Sequence, residues 1–149
     1  MYKHILIATD GSELAEKGLD HGLALAKALG AAVTVVTVTA NEFLSPYDMA
    51  EEASRGSNPL ETYRRAMDKE AAKILEAATA KARSAGSDIK TLHIAERPPA
   101  EGILEAATEH GCDLIIMASH GRRGVSRLML GSQTAEVVAT TTIPVLVVR

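Results

Sequence analysis

Apolar residues along this chain follow two alternating rhythms. Short, nearly continuous runs occur at Ile5-Leu6-Ile7-Ala8, Ala32 to Val38, Ile89 to Ala95, Leu114-Ile115-Ile116-Met117-Ala118 and Val145-Leu146-Val147-Val148. Their length and β-branched content are those of strands buried on both faces. Between them, apolar positions recur at helical spacing. Ala15, Leu19, Gly22, Leu23, Ala26 and Leu29 predict a first helix, opened by Ser12 as N-cap with Glu13 and Glu16 in its first turn and closed by Gly30. Tyr63, Met67, Ala71, Ile74, Ala78 and Ala82 form the stripe of another, started by Asn58, Pro59 and Glu61; Arg64, Arg65, Lys69, Lys73 and Lys81 lie largely on its solvated side. Pro98-Pro99 turns into a helix carrying Ile103, Leu104 and Ala107, which Gly111 ends, and a last helix runs from Ser132 through Ala139. Residues 39–58 break the pattern and read as a long irregular segment.

Strands alternating with helices predict an α/β fold, an open five-stranded parallel sheet with helices on both faces, because a helical crossover makes successive strands parallel. The 149 residues suit a single domain spanning 1–149. The last strand is led by Pro144 and suits a sheet edge; such an edge needs cover, so pairing with a second copy is expected. With one Phe, three Tyr and no Trp the chain offers no stacking platform for single-stranded nucleic acid, and a net charge of −3 gives no basic field for a duplex. One cysteine forms no intramolecular disulfide, which points to a reducing cytoplasm; no signal-peptide pattern and no apolar run of membrane-spanning length occur.

Ligands of open α/β sheets lie beyond the carboxyl ends of the strands, where the winding reverses. Three polar endings compete for that place: Thr9-Asp10-Gly11-Ser12, Thr39 onward, and Ser119-His120-Gly121. The third continues through Arg122-Arg123-Gly124 to Gly131-Ser132, and with Arg127 it carries three guanidiniums suited to a small anion. Glycines there tolerate positive φ and close approach, so successive N–H groups can converge on one oxyanion. With Ser132 as N-cap of the last helix, its hydroxyl and the free N–H groups of the first turn face the same pocket. An ordinary βα connection with turn glycines and a serine cap has the same composition. If the first and fourth strands are neighbours, Asp10 faces this loop across the crevice, placed for a ribose hydroxyl or a phosphate-bound metal; its alternative is an Asx-type turn. No G-x-x-x-x-G-K-[ST], G-x-G-x-x-G or G-x-S-x-G occurs, and the five histidines (4, 21, 93, 110, 120) lack metal-ligand spacing. His120 reads as a loop donor near phosphate, because no carboxylate is placed to orient it as a base.

From KHILIATDGS through PAEGILEAA and DLIIMASHGRRGVSRLMLGS to the closing IPVLVV, the chain resembles a small single-domain universal stress protein. That family's nucleotide signature is two glycines separated by two residues, then nine residues, then Gly-Ser or Gly-Thr. Gly121, nine residues and Gly131-Ser132 fit it, whereas Ala118 occupies the first glycine's position and Arg97 stands where relatives commonly carry glycine. The resemblance implies strand order 3-2-1-4-5, a homodimer through the last strands, and ATP, with magnesium on its phosphates. Asp10 would contact ribose or base, Val38 would hold adenine through its backbone, and Gly121, Gly131 and Ser132 would cradle phosphates. With flanking residues the implied nucleotide-binding set is Thr9, Asp10, Val38, Ser119, His120, Gly121, Arg123, Gly124, Gly131, Ser132, Gln133 and Thr134, with no catalytic residue and no metal ligand. The expected function is a cytoplasmic, homodimeric stress sensor or regulator. Its rivals are a slow ATPase or self-phosphorylating protein with Ser132 as acceptor, and a scaffold that binds no nucleotide.

Overall fold

Five parallel strands stand in the order β3-β2-β1-β4-β5 in the computed structural model, which describes residues 1–40, 45–122 and 129–149. In chain order the elements are β1 (His4–Ala8), α1 (Glu13–Leu29), β2 (Ala32–Thr39), α2 (Pro46–Ser54), α3 (Pro59–Ser84), β3 (Lys90–Ala95), α4 (Pro99–Glu109), β4 (Leu114–Ala118), α5 (Ser132–Thr140) and β5 (Val145–Val148). The order places β1 beside β4, with Ile5 opposite Leu114 and Ile7 opposite Ile116, as the crevice requires.

Alternation along the strands builds two core layers. Ile5, Ile7, Val33, Val35, Leu114 and Ile116 point to one side, where Leu19, Leu23 and Ala26 of α1 and Ala78 and Ala82 of α3 cover them. Leu6, Ala8, Val36, Ile115 and Met117 point to the other, beneath Ala100, Ile103, Ala106 and Ala107 of α4 and Val137 of α5. Ile5, Leu6, Ile7, Ile115 and Ile116 have no exposure at all. Each such side chain contributes about 1.5–3 kcal/mol by leaving water, so the central pair of strands anchors the sheet. Helix α1 lies close to that pair because Gly22 has no side chain: a Cβ there would stand 2.4 Å from Ile7 Cδ1.

The helix ends follow the expected chemistry. Ser12 accepts a bond from Ala15 N, Gly30 closes α1 in the left-handed region at φ 65°, and Asn58 accepts from the N–H groups of Leu60 and Glu61. Leu29, placed on the α1 stripe by spacing, is 40% exposed because the helix ends there. The expectation of an irregular stretch through residues 39–58 is corrected by α2. That helix buries none of its side chains and so has no apolar stripe to betray it; Ser45 caps it by accepting from Asp48 N, and Pro46 pre-sets its first turn. Among the described residues no helix is long and apolar enough to cross a membrane.

Candidate functional site

Strand β1 ends at Ala8, and Thr9 makes the last rung by donating its N–H to Val36 O at 2.9 Å. The chain then turns on its own side chains. Thr9 Oγ1 accepts from Gly11 N at 3.2 Å, and Asp10 Oδ1 accepts from Ser12 N at 2.9 Å. The second carboxylate oxygen of Asp10 crosses the crevice and accepts from Arg122 N at 3.0 Å. Asp10 is thus both the Asx-type turn and the group that faces the glycine loop. Gly121 makes that approach possible, since a Cβ there would lie 2.7 Å from Asp10 Oδ2.

On the β4 side, Ser119 is 5% exposed and donates its N–H to Val148 O at 2.8 Å, while its carbonyl accepts from Gly131 N at 2.7 Å. Its hydroxyl lies 3.1 Å from His120 Nδ1. The expected cap is shifted by one residue. Gly131, at φ −60° and ψ 154°, is the N-cap of α5 and Ser132 its first helical residue; the Gly131 carbonyl already takes Ala135 N at 2.9 Å, so the helix begins before the serine hydroxyl can cap it. Neither Gly121 nor Gly131 adopts positive φ, so of the two expected reasons for these glycines close approach is the one that holds. Space is what both supply: a Cβ on Gly131 would stand 3.1 Å from His120 Cα.

Two members of the implied set turn their side chains elsewhere. Thr134, 3% exposed, donates its hydroxyl to Ala118 O at 2.9 Å, and Gln133 Oε1 accepts from Ala100 N at 2.9 Å. Gln133 thereby caps α4, whose own N-cap, Pro98, supplies no side-chain bond. Their backbone N–H groups remain at the start of α5, on the side of the pocket. Arg123 and Gly124, with Arg127, fall outside the described residues. Val38 presses its methyls toward Gly102, where a Cβ would meet Val38 Cγ1 at 2.7 Å, so its side chain faces α4 and only its main chain is offered to the crevice. Arg97 pairs with Glu105 at 3.2 Å, and both are well exposed.

Sequence spacing gave no sign of Glu70. From α3 it reaches Arg122 Nη2 at 3.1 Å, beside a cleft of about 260 Å³ between α1 and α3 that Thr9, Gly11, Lys73 and Ile74 also line. At the opposite end of β4, burial and the neighbouring Asp113 charge push the Cys112 thiol up to about 11. The Asp113 carboxylate is held below its ordinary value by the N–H groups of Lys3 and His4, which donate to it at 2.9–3.1 Å.

The sequence pattern described as the universal stress protein family matches residues 1–149. The chain belongs to the universal stress protein family. Among its relatives, universal stress protein YxiE of Bacillus subtilis is 34% identical over 149 residues, covering 100% of both chains. The structure of MJ0577, a universal stress protein of Methanocaldococcus jannaschii, superposes with a TM-score of 0.80 at 30% identity, covering 99% of this chain and 96% of that one. A universal stress protein from Archaeoglobus fulgidus, solved in complex with dAMP, shares the fold at a TM-score of 0.69 and 20% identity, with 99% and 98% coverage.

Proposed function

We propose that this universal stress protein binds an adenine nucleotide, with ATP as the form it holds, and acts as a cytoplasmic homodimer that senses or regulates a stress response. The observation that carries the reading is the end of the β1–β2 ladder. Val36 O takes the last N–H from β1, and Arg97 N goes to Thr39 O on the opposite edge at 3.3 Å. Main-chain groups alternate along a parallel strand, so the N–H and C=O of Val38 point toward the β1 side, where the chain has already turned away at Asp10. Among the described residues neither group has a partner beyond the end of β1, and an N–H beside a C=O complements the Watson–Crick edge of adenine. Asp10 lies next along the crevice, where a ribose would follow an adenine held at Val38. The N–H groups of the first turn of α5 and the space at Gly121 and Gly131 suit phosphates, and magnesium would arrive with them. That a universal stress protein of the same fold from Archaeoglobus fulgidus was solved with dAMP supports an adenine nucleotide in general terms.

Assembly through the last strand is supported by its position. Among the described residues strand β5 pairs with β4 alone, and its Leu146 is 39% exposed. The reduced, buried Cys112 suits a reducing compartment.

The test is to purify the protein without added nucleotide, denature it, and identify what is released by ion-pair chromatography with mass detection. About one ATP per chain is expected at full occupancy, and Gly131→Leu should abolish it. Empty protein that also shows no thermal shift with millimolar ATP and magnesium refutes the binding reading. Light scattering of the same sample should give the mass of a dimer, and Leu146→Lys should give a monomer.

A further inference from the structure

Arg122 stands between two partners. Its backbone is fixed at the crevice by Asp10 Oδ2 at 3.0 Å, while its side chain runs the other way across Gly11 to Glu70 Oε1 at 3.1 Å. The route is open only because residue 11 has no side chain: a Cβ there would lie 3.1 Å from Arg122 Nη2 and 2.9 Å from Ile74 Cγ1. The pair at the end of that route is weakly held. The side chains of Arg122 and Glu70 are 53% and 43% exposed, and exposed ion pairs contribute little in water. A guanidinium prefers a phosphate, which it can grip through two parallel N–H bonds.

We infer that Arg122 exchanges Glu70 for the polyphosphate of the bound nucleotide, and so sets the preference of the site for triphosphate over monophosphate. This rests on the adenine-nucleotide reading above. Arg122 follows Gly121 directly, so a side chain pivoting about its anchored backbone sweeps from α3 to the phosphate end of the crevice. Two features make the exchange inexpensive. The cleft of about 260 Å³ beside the guanidinium lets it move without repacking the core. Lys73, which lines the same cleft one turn along α3, takes over Glu70 at i,i+3 spacing when Arg122 leaves.

The experiment is calorimetric titration of ATP, ADP and AMP in magnesium-free buffer, where no divalent ion competes with the guanidinium. Wild type, Arg122→Gln, Arg122→Lys and Glu70→Gln are compared, each first shown to melt cooperatively. Wild type should prefer ATP to AMP, and Arg122→Gln should lower that ratio about tenfold. Arg122→Lys should recover part of it, because the charge remains while the two-pronged geometry is lost. Glu70→Gln carries the deciding sign: removing the resting partner should raise ATP affinity by about two- to threefold. Weaker ATP binding by Glu70→Gln overturns the inference, because the pair then positions the loop instead of competing with the ligand. Equal losses of ATP and AMP in Arg122→Gln overturn it as well. Wild type that has been stripped of retained nucleotide and binds none of the three, with or without magnesium, refutes the nucleotide reading itself, and the inference falls with it.

Discussion

Replacing Gly121 by alanine tests whether the crevice is held together by the contact between Asp10 and the glycine loop. The added Cβ would stand 2.7 Å from Asp10 Oδ2, and among the described residues, its two chain neighbours aside, the other atom within 4 Å is Asp10 Cγ at 3.8 Å. The backbone raises no objection, since Gly121 is not at positive φ. Among the described residues the cost therefore falls on one carboxylate. Asp10 cannot retreat freely, because it accepts from both Ser12 N at 2.9 Å and Arg122 N at 3.0 Å. Moving Oδ2 out to ordinary contact breaks the bond to Arg122. A hydrogen bond to a charged group is worth about 1.5–3 kcal/mol, and exposure at this site lowers that to about 1–2 kcal/mol. For a chain of this length the melting temperature should fall by about 3–6 °C. The control is the same substitution in an Asp10→Ala background. There the obstructing oxygen is absent, and Gly121→Ala should become stabilising by about 0.4–1 kcal/mol through the lower entropy of the unfolded chain. Urea unfolding of the four proteins at neutral pH measures both steps. An equal penalty in the two backgrounds refutes the reasoning, because the clash would then lie elsewhere than at Asp10.

Gly102→Ala should press on Val38, whose Cγ1 and Cγ2 would stand 2.7 and 2.9 Å from the new Cβ, and cost about 1–3 kcal/mol; displacing Val38 should weaken nucleotide binding as well, which titration of the folded variant checks. Cys112, raised to about 11 and 5% exposed, should resist iodoacetamide at pH 8 in the native protein and react promptly in urea; rapid native labelling counts against its burial. The lowered pKa of Asp113 means that its ionised form stabilises the fold above the unfolded value of 3.8, and that this contribution is lost as pH falls through the lower native value. Asp113→Asn should therefore unfold at lower urea than wild type at pH 7, with the two midpoints converging as pH falls below the ordinary carboxylate range and Asp113 protonates in the native protein.

What could be read in advance depended on whether a feature was local and apolar. Strands β1 and β4 are buried on both faces, so their apolar runs are unbroken, and the N-caps Ser12 and Asn58 act within three residues of themselves. Helix α2 escaped because a helix with no buried side chain leaves no stripe, although its Ser45-Pro46 start was present in the sequence. The composition of the crevice loops was equally plain, and so was the prospect of Asp10 facing them. Their partners were not. Gln133 caps a helix thirty-three residues before it, and Glu70 reaches an arginine fifty-two residues after it; no spacing rule connects such positions. The cap shift from Ser132 to Gly131 was hidden for a different reason: serine is the better capping side chain, but the carbonyls of Ser119 and Gly131 fix the helix start by backbone bonds alone.

The signature positions are constrained by different physics, which decides what the alanine at 118 does. Gly131 is limited by backbone, since its Cβ would meet His120 Cα at 3.1 Å, and Gly121 by the Asp10 side chain. Ala118 is limited by neither. It ends β4 with an ordinary strand backbone, and Leu114 and Ile116, four and two residues before it, belong to the layer covered by α1. Alternation turns the Ala118 methyl toward that layer, whereas α5 packs its Val137 into the opposite one. The methyl thus stays clear of the cradle, and the Ala118 carbonyl is engaged by Thr134 at 2.9 Å whichever residue carries it. Ala118→Gly, which restores the full family signature, should therefore bring no gain in nucleotide affinity. It should instead cost about 0.5–1 kcal/mol from the added freedom of a strand glycine. Paired nucleotide titration and urea unfolding measure the two effects, and tenfold tighter binding by the glycine variant would show that the methyl does enter the phosphate site.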